Sequence, residues 1–233
     1  VRAGAVTQTP KTAGLFHLYE HMMFKGTKEL NAFDIANKFE NMGAMINAFT
    51  SKTATCYYLK VTDKYIRDSF SLLSDIFFNS QFDENEMERE KSVVIEEINM
   101  DEDDPEGISS DLTFSCIYGN ATYGRKIIGN KENVKNFTKN DIKSHIAKYY
   151  ASHNTVISFA GNITFEQAER LVDEFVIGNY TENQQEIESP IITIKESSYL
   201  SRIKDFEQSN ISIAFPGVSS LDANRENQTI LAL

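Results

Sequence analysis

The chain has 233 residues, of which 41% are hydrophobic and 24% charged, enough apolar material for one large or two modest cores. A net charge of −11 argues against nucleic acid as a partner, because phosphate backbones are bound by clustered Lys and Arg that displace counterions. No apolar run reaches the roughly 18 residues that span a bilayer, so a membrane is not an expected partner either.

The chain opens without Met at Val1-Arg2-Ala3-Gly4 and closes at Thr229-Ile230-Leu231-Ala232-Leu233, so both ends read as cut within a longer protein. Cys56 and Cys116 sit in apolar surroundings without Cys-x-x-Cys spacing, the pattern of free thiols in a reducing compartment. The expected location is cytoplasmic, with any address signal lying outside these residues.

Residues 1 to 8 predict a strand and 9 to 14 the turn after it. Residues 15 to 24 predict a helix, on which successive residues turn by about 100°. His17 and His21 then stack on one face with Glu20 beside them, in an otherwise almost wholly apolar run. The plainer reading is a core helix with hydrogen-bonded histidines. Three unpaired titratable groups are costly to bury, however, and His-x-x-Glu-His is the inverted order of the commoner zinc-peptidase motif. Two imidazoles supply two of the three protein ligands of a catalytic zinc, and a carboxylate off the metal can deprotonate its water. A third ligand has to come from elsewhere.

A second helix is predicted from about Ala32 to Met42, with Asn31 as its cap and Gly43 just past its end. Strands at 44 to 50 and 54 to 61 follow, then a helix from Asp63 to about Asn79 with an apolar stripe of Ile66, Phe70, Leu73, Ile76 and Phe77. The helix from Asp83 to about Met100 is charged. With Met87 at the centre of its buried face, Val94 and Ile98 fall within about 20°, Glu90 and Glu97 about 60 to 80° to one side, and Glu96 about 180° away. Glu84, Glu86, Glu88 and Glu96 read as solvated. Glu90 and Glu97, on the flank of a buried stripe, either salt-bridge or meet a cation.

The run Asp101 to Asp104 reads as a solvated helix end, with a preference for basic peptides as the alternative. A core-like helix is expected from about Gly107 to Tyr118 and a loop at 119 to 130. Capping boxes at Thr138 and Thr164 open helices to Tyr150 and about Ile177, with an apolar strand at 155 to 160 between them. His145 and His153 fit no ligand spacing and read as structural or exposed. Residues 179 to 190 are polar, end in Pro190 and read as a linker. Strands at 191 to 194 and 210 to 215 and a helix from about Leu221 would begin a new unit. The equal spacing of Val6 to His17 and Val218 to Thr229 suggests an internal repeat, with Thr229, Ala232 and Leu233 in place of His17, Glu20 and His21.

Residues 14 to 27, Gly-Leu-Phe-His-Leu-Tyr-Glu-His-Met-Met-Phe-Lys-Gly-Thr, resemble the active-site segment of the pitrilysin family of zinc metallopeptidases, the inverzincins. Asn47-Ala48-Phe49-Thr50-Ser51, the segment Glu90 to Ile98, the segment Tyr123 to Gly129 and Val156 to Asn162 resemble further landmarks of that family.

The resemblance implies an α+β fold, a mostly antiparallel sheet packed on one side by helices. It implies a zinc-binding domain at 1–178, the linker at 179–190 and the start of a metal-free homologous domain at 191–233. It also implies that His17, His21 and Glu97 hold one Zn2+ per chain, Glu97 lying 76 residues after His21. The catalytic carboxylates would be Glu20, as general base to the zinc-bound water, and Glu90, as a support behind the ligands. Asn47 and Ala48 would pair with an extended or unfolded peptide by strand addition. Thr53 stands where the family usually has an acidic residue. Expected partners are peptide substrates, the second half-domain and a homo- or heterodimer partner. The function implied is a zinc metalloendopeptidase; the alternative is a catalytically weak or inactive scaffold subunit of the same fold.

Overall fold

The computed structural model describes residues 1–180, Ile187, Ile192, Ile194 and 198–215. Eight helices and one hairpin make up the regular structure of the described residues. They run α1 (Leu15–Met22), α2 (Ala32–Asn41), β1 (Met45–Thr50), β2 (Thr55–Lys60), α3 (Ile66–Asn79), α4 (Glu84–Asp103), α5 (Pro105–Tyr118), α6 (Lys131–Asn136), α7 (Lys139–Tyr149) and α8 (Phe165–Phe175). The fold is α+β, with helices packed on one face of a small antiparallel sheet.

Local chemistry sets most helix starts. Asn31 accepts from the Asp34 amide, Asp83 from those of Asn85 and Glu86, and Asp104 from those of Glu106 and Gly107. Thr138 and Thr164 form capping boxes with Asp141 and Gln167. Pro105 occupies the first turn of α5, where no intrahelical amide is needed, which starts that helix two residues before the expected Gly107.

The helix α1 lies at the centre of the molecule. It buries Leu15, Phe16, Leu18, Tyr19 and Met22 and packs on β1, α4, α6 and α7. Ile35, Phe39, Ile76, Met87, Val94, Ile98, Val134 and Ile142 complete the core around it. A smaller cluster of Phe70, Leu171 and Val176 joins α3 to α8.

The N-cap of α1 depends on a close approach of two glycines. Gly14 has φ of 94°, and a Cβ there would lie 2.6 Å from the Ile128 carbonyl oxygen. Gly129 has φ of 78°, and its Cβ would lie 2.4 Å from the Ala13 carbonyl oxygen. Only residues without a side chain allow these backbones to touch in the left-handed region.

The two strands pair antiparallel with Thr50 opposite Thr55 and Met45 opposite Lys60. Three expected details differ. Residues 1 to 8 do not form a continuous strand: Val1 exchanges hydrogen bonds with Thr55 at 2.9 and 3.0 Å, and the chain then turns through a 3-10 segment at Ala5–Thr7. Residues 155 to 160 form no strand among the described residues, and Val156 is 86% exposed. Of the apolar residues on α5 only Ile108 is buried, because that helix is apolar on several sides and just one side meets the core.

Residues 192, 194 and 210 to 215 carry no strand assignment. Most of the expected linker, the helix from Leu221 and the repeat copy at Val218 to Thr229 lie outside the described residues. No helix among those described is long and apolar enough to cross a membrane.

Candidate metal centre

The apolar face of α1 is buried, and its opposite side presents His17, Glu20 and His21 half-buried toward α4 and β1. The imidazoles stack one turn apart, with ring centroids 4.7 Å from each other at 64°. The helix α4 runs past them on the anchors Met87, Val94 and Ile98 and leaves Glu96 exposed, as the helical wheel predicts.

Glu90 and Glu97 are separated by about 10.5 Å along α4, and both reach His21, on opposite edges of its ring. Glu90 Oε2 lies 3.2 Å from His21 Nδ1, while Glu97 Oε2 lies 3.5 Å from His21 Nε2 and 3.7 Å from His17 Nε2. The donor atoms of His17, His21 and Glu97 all lie within 4.8 Å of one another.

This arrangement passes a simple test for zinc. With bonds of about 2.0 to 2.1 Å, neighbouring ligands of a tetrahedral ion stand about 3.3 Å apart. Separations of 3.5 and 3.7 Å bracket an ion with a small inward shift. Two imidazole nitrogens and one carboxylate oxygen are a donor set that zinc accepts, with a fourth position left for water or substrate.

Burial, followed by the neighbouring His21, pushes the His17 pKa down to about 4. The ring is therefore neutral at physiological pH and its lone pair is available for a cation. Glu90 is 7% exposed, and its second oxygen, Oε1, lies 2.5 Å from Lys25 Nζ. The buried carboxylate thus has a cation on one oxygen and an imidazole nitrogen on the other, which fixes the His21 ring with Nε2 facing His17 and Glu97. His17 Nδ1 is buried with no hydrogen-bond partner among the described residues.

Glu20 points to β1. Burial raises its pKa above the ordinary carboxylate range, against the hydrogen bond from the Thr50 hydroxyl and the charge of the neighbouring His21, which lower it. The Thr50 hydroxyl donates to Glu20 Oε2. Bonded pairs alternate along an antiparallel ladder, and the Ser51 amide donates to the Ala54 carbonyl at 2.8 Å. The amides of Ala48 and Thr50 therefore face away from β2, toward the open edge of β1. The Ala48 amide is covered by Asn47 Oδ1 at 2.8 Å.

The structure thus brings His17, Glu20, His21, Glu90 and Glu97 into one cluster, with the edge carrying Asn47 and Ala48 beside it. Sequence reasoning missed Lys25 and Thr50. The signal for Thr50 is a hydroxyl on the inward parity of β1, shared with Ile46 and Ala48. Lys25 carries no such signal, since a lysine just past a helix end ordinarily faces solvent.

Two histidines and a glutamate on one helix, set against a carboxylate from a second helix, form a candidate site for a divalent metal ion. Residues 1–131 match the family model described as insulinase, peptidase family M16, and residues 136–232 match the one described as the peptidase M16 inactive domain. The chain belongs to the M16 (insulinase) peptidase family.

Its relatives include a Bacillus subtilis protein described as the uncharacterized zinc protease YmxG, 38% identical over 94% of this chain and 53% of that one. The human mitochondrial-processing peptidase subunit beta is 34% identical over 72% of this chain and 34% of that one. A Helicobacter pylori protease of known structure shares the fold, with a TM-score of 0.77 and 24% identity over 83% of this chain and 47% of that one. The chain spans about half the length of the Bacillus protein, and a smaller share of the human subunit.

Proposed function

We propose that the full-length protein is a zinc metalloendopeptidase acting on extended or unfolded peptides. His17 Nε2, His21 Nε2 and Glu97 Oε2 would hold one zinc ion, and the observation that carries the reading is the convergence of one donor atom from each of these residues within 4.8 Å, from two distant segments. When bound, zinc supplies positive charge that polarises a scissile carbonyl and acidifies a water molecule.

The chain's own residues do the rest. Glu90 orients the His21 ring through Nδ1. Glu20, partly desolvated with a raised pKa, takes a proton from the attacking water and hands it to the leaving amine, a task best served by a carboxyl whose pKa approaches the working pH. The open edge of β1, at Asn47 and Ala48, takes an extended peptide by strand addition, with Asn47 Oδ1 releasing the Ala48 amide to it.

Glu20→Gln in the full-length protein tests the reading: zinc content stays near one per chain and peptide cleavage is lost. Cleavage retained by that variant would refute the assigned base. A second reading, a scaffold subunit without turnover, is favoured by the inactive-domain match over residues 136–232. It predicts one zinc per chain with no cleavage by the unaltered full-length protein, whereas the primary reading predicts turnover.

A further inference from the structure

Glu20 works as a base only if its carboxylate is held at one place, yet an isolated glutamate on a helix rotates about three torsions. Among the described residues a single side-chain hydrogen bond holds it, the one from the Thr50 hydroxyl to Oε2. Thr50 is half-buried at the end of β1, opposite Thr55 at the closed end of the hairpin, where the backbone is held on both sides of the turn. A β-branched side chain in a strand has few χ1 choices, so the hydroxyl is presented in a fixed direction.

On the reading that Glu20 is the general base of a peptidase, we infer that Thr50 is a positioning residue: its hydroxyl fixes the Glu20 carboxylate relative to the strand that receives the peptide. The strand edge and the base are then one rigid unit, and a peptide paired to β1 arrives in register with Glu20. Removing the hydroxyl leaves the strand, the histidines and Glu97 in place and frees the carboxylate to rotate. A displacement of that size is felt in the chemical step, not in binding of substrate or metal.

The test uses the full-length protein, loaded with zinc, and an internally quenched unstructured peptide that the unaltered protein cleaves. Thr50→Val, nearly isosteric, lowers kcat about 10- to 100-fold with KM and zinc affinity within about twofold of the parent. Thr50→Ser keeps a hydroxyl and restores kcat to within about threefold. Thr50→Ala is measured beside Val, so that a misfit of the valine methyl cannot masquerade as the effect.

Parental kcat in both Thr50→Val and Thr50→Ala, a loss confined to KM, or a Thr50→Ser variant as slow as Val overturns the inference while leaving the peptidase reading intact, provided Glu20→Gln is inactive. Turnover retained in Glu20→Gln overturns the peptidase reading and this inference with it.

Discussion

Glu90→Ala tests whether orientation of a ligand, and not its identity alone, sets the metal affinity of this site. In the folded protein Glu90 Oε2 holds His21 Nδ1 at 3.2 Å and Oε1 meets Lys25 Nζ at 2.5 Å. Alanine removes both contacts. The Lys25 side chain is already 30% exposed and turns to water, so the lost ion pair costs about 1 kcal/mol of fold stability or less. The larger effect falls on His21, whose ring loses the acceptor that aims Nε2 at His17 and Glu97. Loss of such an outer partner lowers metal affinity by about 10- to 100-fold, or roughly 1.4 to 2.7 kcal/mol. Glu90→Gln keeps an acceptor oxygen without the charge, and its loss is smaller, about three- to tenfold. Competition against a chromophoric chelator at constant pH measures both. Zinc affinity in Glu90→Ala equal to that of the parent would refute the reasoning, because His21 would then be oriented by something other than Glu90.

Two further outcomes follow from the packing around α1. Gly14→Ala forces a side chain into the left-handed region and against the Ile128 carbonyl, which as backbone cannot swing aside. The conformational penalty of about 1 to 2 kcal/mol plus the clash places the loss at roughly 2 to 4 kcal/mol in urea unfolding, and unfolding at the parental midpoint would contradict it. His145, whose Nε2 is buried against Phe16 and Tyr149 without a hydrogen-bond partner among the described residues, has its pKa pushed down to about 4, chiefly by burial and then by Lys148. The unfolded chain binds that proton near pH 6.5 and the folded chain does not. Stability from this residue is therefore complete above about pH 6.5 and falls as the pH drops toward 4, by up to about 3 kcal/mol. In metal-stripped protein His145→Leu flattens that slope relative to the parent; identical slopes would show that another group titrates.

Periodicity and caps carried much of the local structure. The positions of α1, α2, α4, α7 and α8 and of the hairpin follow from apolar spacing and from Asn31, Asp83, Thr138 and Thr164, all local in the chain. The wheel of α4 put Glu90 and Glu97 on one flank and Glu96 in solvent, which is where they lie. Where pattern failed, the outcome depended on a neighbour. The segment at 155 to 160 is apolar enough for a strand, but a strand also requires a partner to share its backbone hydrogen bonds, and among the described residues it pairs with none.

The motif on α1 already pointed to a metal site, because a helix converts spacing of three and four residues into direction, while the family and the choice of Glu97 as third ligand came from the resemblance to the pitrilysin family. What remained for the three-dimensional fold was convergence: that Glu90 and Glu97 grip opposite edges of one imidazole, that Lys25 answers the buried charge, and that Thr50 reaches Glu20 across 30 residues of chain. These contacts join segments that sequence spacing alone does not relate, and they are set by how α1, α4 and β1 pack on a common core.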